Sequence, residues 1–195
     1  MTLFRNKFRI KSARLPDFDY SMNGMYFITI CTKERLPFFG EIVEGGITLS
    51  EMGEIVKRFW QEIPNQFSYV KLDEFVVMPN HFHGIVIIDQ NRRDAINRVS
   101  TADAISINRI STAVNENTGG FAGDKNPMVN ENLSRIIRWY KGRVSFEIKK
   151  IHSDFGWQSR FHDRIIRNED ELFNVRNYIK NNPANWENDK LMKEK

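Results

Sequence analysis

Residues 69–88 read YVKLDEFVVMPNHFHGIVII. β-Branched and aromatic residues dominate both halves, and a Pro79-Asn80 pair divides them. The reading is two strands, 69–78 and 81–88, joined by a tight break. Outward from this pair, residues 25–32 (MYFITICT) predict another buried strand. Residues 41–48 (EIVEGGIT) hold Gly45-Gly46 between short apolar pieces, a hairpin signal. Met52, Ile55, Val56, Phe59, Trp60 and Ile63 then recur at helical spacing, with Ser50 as N-cap and Pro64 as stop. Downstream, Leu133, Ile136, Ile137, Tyr140 and Val144 predict a second helix. Residues 155–166 (FGWQSRFHDRII) read as a strand. Asn168-Glu169-Asp170-Glu171 resembles a capping box. Leu172, Val175 and Ile179 form a third helical stripe that Asn182-Pro183 ends.

The order is strand, helix, strand, strand, helix, strand, helix. The first six elements make the βαββαβ pattern of an α+β, ferredoxin-like antiparallel sheet with helices on one face. The last helix is extra and must pack elsewhere. The 195 residues suffice for one domain, taken as 1–195. A basic arm, 1–16, precedes it, with Arg5, Lys7, Arg9, Lys11 and Arg14 and no acid before Asp17. As an extended chain, the arm would be a cationic ribbon. Residues 89–130 are polar and contain a near-repeat, INRVSTA and INRISTA. They read as a flexible insertion between a strand and a helix.

A net charge of +4 permits a nucleic-acid partner without establishing one. Hydrophobic residues at 41% and charged ones at 28% exclude wholesale disorder. A single cysteine, Cys31, excludes a disulfide framework and a cysteine-rich zinc site. No apolar run approaches a membrane span, and the N-terminus lacks the apolar core of a signal peptide. The expectation is a cytoplasmic protein with no membrane partner.

Among the four histidines, His81 and His83 share one face of a predicted strand, with Cα atoms roughly 6.6 Å apart. Two imidazoles at that separation can converge on one ion, or simply sit on a polar surface. A third ligand would have to come from elsewhere. Tyr178 and Asn182 are spaced one helical turn apart at the border of the last helix's apolar stripe. A tyrosine hydroxyl beside a cation ionises more readily and can act as a nucleophile. The same pair also reads as a core-edge tyrosine and a helix-terminal asparagine. Tyr140 is a rival tyrosine, but its place on the apolar stripe favours packing. Asn181 is a rival for Asn182. Arg135, Arg138, Lys141 and Arg143 make the second helix basic enough to neutralise phosphates.

The run Val76-Val77-Met78-Pro79-Asn80-His81-Phe82-His83-Gly84 resembles the HUH signature of single-strand DNA transposases with one catalytic tyrosine. Trp157-Gln158, Asp163-Arg164-Ile165-Ile166-Arg167 and Tyr178-Ile179-Lys180-Asn181-Asn182-Pro183 resemble the C-terminal signature of the REP-associated tyrosine transposase branch. So do Arg14-Leu15-Pro16 and residues 26–32. The resemblance implies a strand transferase acting near hairpin-forming repeats through a 5′-phosphotyrosine. It implies Tyr178 as nucleophile and His81, His83 and Asn182 as ligands of Mg²⁺ or Mn²⁺. It also implies single-stranded or hairpin DNA as partner, and a monomer or homodimer. Relatives often carry a histidine where this chain has Arg164, so His162 and Asp163 remain candidates only for support of the histidine ligands. The alternative is a domesticated relative that binds hairpins without cutting them.

Overall fold

The computed structural model describes residues 22–91 and 132–192, and the backbone of two short paired strands, Leu3–Phe4 (β1) and Lys7–Phe8 (β2). Arg5, Arg9, Lys11, Arg14 and the side chain of Lys7 lie outside the described residues. So does the insertion from residue 92 onward, with its near-repeat.

The central sheet is built from β3 (Gly24–Cys31), β6 (Val70–Met78), β7 (His81–Ile88) and β8 (His162–Ile166). Its order is β6-β7-β3-β8, and every neighbouring pair is antiparallel. This is the expected ferredoxin-like arrangement, with the first strand of the unit between its third and fourth. A separate hairpin, β4 (Gly40–Val43) and β5 (Gly46–Leu49), leads into α1 (Glu51–Gln61) and the short α2 (Ile63–Gln66). α3 spans Leu133–Ile148 and α4 spans Glu169–Asn181.

Side chains alternate across the sheet and so serve two layers. Tyr26, Ile28, Ile30, Phe82, Val86 and Ile88 pack with α1 and α3 in the larger core. Ile85 and Ile166 face the other way and pack against Leu172, Val175 and Ile179 of α4. β7 is therefore covered on both faces, which is why its sequence runs apolar instead of alternating. Among the described residues no helix is long and apolar enough to cross a membrane.

Four local readings need correction. The hairpin turn is Glu44-Gly45, not Gly45-Gly46: both residues have positive φ, 51° and 76°, as a two-residue primed turn requires. Ser50 caps α1 by accepting from the Gly53 N–H at 3.1 Å, but Pro64 does not stop it. The helix ends at Gln61, and Pro64 lies in the first turn of α2, where its missing N–H costs nothing. Only His162–Ile166 of the expected strand 155–166 is a strand. The preceding loop is pinned by Gln158 N–H to Cys31 O at 2.9 Å and Lys33 N–H to Gly156 O at 2.8 Å. Its aromatic residues Phe155 and Trp157 pack against Phe39, and that packing produced the strand-like apolar pattern. Asn168 caps α4 by accepting from Glu171 N–H, yet Glu171 returns to the Arg167 N–H, one residue before the box position.

Candidate active site

β7 turns His81 and His83 onto the α4 face of the sheet, with ring centroids 4.5 Å apart. Both are buried, at 0% and 2% exposure. Each ring has a partner on Nδ1. Asn80 donates its amide N–H groups to Arg35 O and Leu191 O, which leaves its Oδ1 to accept from His81 Nδ1 at 2.8 Å. Thr29, across the ladder, places Oγ1 2.8 Å from His83 Nδ1. With the Nδ1 protons held there, both Nε2 atoms present lone pairs. Burial drives both histidines down to about 3, and for His83 the neighbouring His81 adds to the effect. Both are thus neutral at physiological pH, the form that ligates a metal.

α4 brings Tyr178 and Asn182 to this face. The Tyr178 hydroxyl lies 3.4 Å from His83 Nε2, while the residue remains 47% exposed. Burial raises its pKa above the ordinary phenol value, and the Asp189 carboxylate raises it further. Left to these surroundings, the hydroxyl keeps its proton. Asn182 is buried at the C-cap of α4. Asn181 is exposed, apart from the buried group, and its backbone carbonyl accepts from Asn185 Nδ2 at 2.9 Å.

The chain then returns over the histidines. A 3-10 turn, Pro183–Asn188, stacks Trp186 on His81 at 5.9 Å and delivers Asp189. Asp189 Oδ2 lies 3.6 Å from His81 Nε2. One ligand atom from each of His81, His83 and Asp189 falls within 4.8 Å of the others. Three buried atoms here, His81 Nε2, Asn182 Oδ1 and Asp189 Oδ2, have no hydrogen-bond partner. Such atoms are costly to bury alone. A nitrogen and two oxygens converging without partners, backed by a second neutral imidazole, fit a divalent cation. This group could hold a metal. Asp189 was not legible from spacing, since it follows the helix stop in a polar tail. Its one signal was Trp186, a large apolar residue out of place in a solvated segment.

A bulge docks α4. The β6–β7 register shifts between Leu72 and Phe75, which turns Asp73 and Glu74 toward α4. Asp73 accepts from Arg176 Nε and Nη2 at 2.7 and 2.6 Å, a bidentate pair. One helical turn on, Lys180 Nζ lies 2.9 Å from Glu74 Oε1. The two pairs bracket Tyr178.

Other candidates lie elsewhere. The ladder sets Asp163 opposite Ile28, on the α1/α3 face, away from the histidines. His162 stands opposite Thr29 and is exposed; Thr29, and neither of these two, holds the His83 ring. Tyr140 is fully buried and donates to Val56 O at 3.2 Å. α3 carries Arg135, Arg138, Lys141 and Arg143 on the sheet face opposite Tyr178. Lys141 donates to Gln158 O at 2.6 Å, and burial lowers it to about 8. The Arg143 guanidinium lies over the Phe59 ring at 5.3 Å. The structure does not bring Arg135, Arg138 or Arg143 to the histidine group, whereas the Lys141 charge reaches Cys31, the ladder partner of His81.

No family model matches the chain. An uncharacterized protein of Haemophilus influenzae is 33% identical over 182 residues, which cover 93% of this chain and 92% of that protein. The structure of a REP-associated tyrosine transposase bound to a REP hairpin superposes with a TM-score of 0.53 at 15% identity. The match covers 89% of this chain and 74% of that one. Identity and coverage place the chain in one family with the Haemophilus influenzae protein, and its α+β architecture is the fold of the REP-associated tyrosine transposase.

Proposed function

We propose that the protein is a divalent-metal-dependent DNA endonuclease and strand transferase in which Tyr178 is the nucleophile. What carries this reading is the Tyr178 hydroxyl, half-exposed and 3.4 Å from His83 Nε2, at the edge of buried donor atoms that lack partners. His81, His83, Asp189 and Asn182 would hold Mg²⁺ or Mn²⁺. When bound, such a cation supplies charge that polarises a phosphate and favours the phenolate. Tyr178 Oη attacks the phosphorus of a single-stranded DNA phosphodiester. The phenol gives up its proton to solvent, the bond to the 3′-oxygen breaks, and that oxygen takes a proton from solvent to leave as a 3′-hydroxyl. The product is a 5′-phosphotyrosine, and attack by another 3′-hydroxyl restores a phosphodiester and frees the tyrosine. Bond energy is conserved, so no nucleotide triphosphate is needed.

The substrate class follows the neighbour whose structure holds a REP hairpin: single-stranded DNA beside a hairpin. The arm cations Arg5, Lys7, Arg9, Lys11 and Arg14 would act on phosphates, and those of α3 on phosphates remote from the cut. We take residues 1–195 as one domain working in the cytoplasm as a monomer or homodimer.

Incubation with Mg²⁺ or Mn²⁺ and hairpin-bearing strands should give a covalent protein–DNA adduct on a denaturing gel. Tyr178→Phe should give none while still shifting the hairpin on a native gel. Hairpin binding with no adduct under either metal would favour a binding module instead.

A further inference from the structure

A cavity of about 390 Å³ opens beside Tyr178, lined by Phe27, Arg164, Glu171, Asn174, Val175 and Tyr178. It runs from Tyr178 toward the N-terminus of α4, whereas Asn182 and Asp189 lie past the other end of the helix. Its floor is apolar: Val175 is buried, and the Phe27 ring is stacked on His83 at 5.2 Å and meets Tyr178 edge-on at 5.9 Å. Its rim is polar and carries one cation, Arg164, and one carboxylate, Glu171, which is closer to Arg167 at 3.4 Å. Arg164 stands directly opposite Phe27 in the β3–β8 ladder, and Glu171 Oε1 lies 3.8 Å from its guanidinium. Asn174 sits one helical turn before Tyr178, on the same side of α4.

A flat aromatic floor, a planar cation at the mouth and an amide at the edge suit a planar heterocycle attached to an anion. The face of a nucleobase stacks on such a floor, and its edge offers hydrogen-bond groups to an amide. Arginine pairs with phosphate in a planar, two-pronged geometry. The space of about 390 Å³ is ample for one base, and the single-stranded substrate proposed for Tyr178 presents that base unpaired. The cavity also touches the proposed nucleophile itself.

We infer that this cavity takes the base of one unpaired nucleotide adjoining the phosphate that Tyr178 attacks. Arg164 lies on the phosphate side and Asn174 at the base edge. The inference rests on the reading of Tyr178 as nucleophile. It makes the protein, and not only DNA pairing, a reader of one position at the cut. It also gives Arg164 a role of its own, as a contact to the substrate.

The test uses the full chain, Mn²⁺ and a pool of hairpins with randomised unpaired flanks. Covalent adducts are recovered and sequenced. The wild type should prefer one base at a single position beside the junction by about tenfold, the scale of one stacked and edge-read base. Asn174→Leu should flatten that position toward no preference and leave the other positions unchanged. Arg164→Ala should lower adduct yield about tenfold for all sequences alike. Both residues are exposed, and unchanged melting curves would exclude misfolding. A Tyr178→Phe complex carrying 2-aminopurine at that position should show quenched fluorescence, relieved by adding Asn174→Leu. Adducts whose preferences survive Asn174→Leu intact would overturn this inference alone. No adduct from any member of the pool would overturn the Tyr178 reading and this inference with it.

Discussion

Gly84 follows the second site histidine, yet its role is in packing. A Cβ at this position would meet Trp60 Cζ2 at 2.5 Å and Phe82 Cε1 at 2.8 Å. The indole lies against Phe82 at 4.4 Å in the floor of the larger core, and only a bare backbone lets it approach so closely. Gly84→Ala should therefore lower stability by about 1–3 kcal/mol, read as a shifted urea midpoint. An unshifted midpoint would mean that the indole moves aside freely. Asp189 carries the opposite kind of role. It contributes a charge and little packing, so Asp189→Ala should weaken Mn²⁺ binding at least about tenfold, followed by the free-ion EPR signal. The melting temperature without metal should change little, because removing the unpartnered Oδ2 offsets the loss of the Leu191 N–H bond to Oδ1 at 2.8 Å. Equal Mn²⁺ affinity in both proteins would remove Asp189 from the ligand set. His81, His83, Tyr178 and Asn182 were legible because each pair obeys the repeat of one element, two on a strand and four on a helix. Asp189 obeys no repeat. It reaches the histidines by a chain reversal that spacing does not encode.

At the scale of elements, the β6 bulge and α4 act together. The extra residue gives two successive carboxylates the same direction, and they meet Arg176 and Lys180 on either side of Tyr178. The Arg176 hydrogen bonds hold Asp73 below its ordinary carboxylate value, an effect that its own burial partly opposes. A folded-state pKa below the unfolded one stabilises the fold above the unfolded value, near 3.9. That contribution disappears as pH falls through the folded value. Wild type should thus be more stable than Asp73→Asn at neutral pH, and the gap between their urea midpoints should close in acid. A gap that stays constant with pH would assign the effect to something other than the ion pair. None of this was legible in VKLDEFVVM, where the two acids read only as an interruption of a strand. A bulge shows itself in its pairing partner, which sequence periodicity does not contain. The helix-like and strand-like repeats did locate the four sheet strands and three long helices. They failed in residues 155–161, where aromatic residues serve a pinned loop.

At the scale of the molecule, one four-stranded sheet separates two tasks. Its larger-core face is covered by α1 and α3 and holds most of the apolar burial. Its other face carries α4 and the proposed chemistry, with a smaller apolar contact beneath it. β7 belongs to both, so a change in Phe82 reaches the histidines on either side of it through one rigid strand. The basic face of α3 lies behind the sheet. A strand that touched both α3 and Tyr178 would have to pass around a sheet edge, which makes the length of the DNA as decisive as its sequence. Binding measured against oligonucleotides of increasing length should rise in a step, and Arg138→Ala should matter only beyond that step. A smooth rise would argue against a contact behind the sheet. The placement of Asp189 adds a matter of timing. Synthesis delivers the histidines early, the tyrosine late and this carboxylate later still. On the proposed reading, a chain interrupted between Asn182 and Asp189 would carry the proposed nucleophile and the imidazoles but lack this carboxylate among them, so a half-made protein would be an unarmed one.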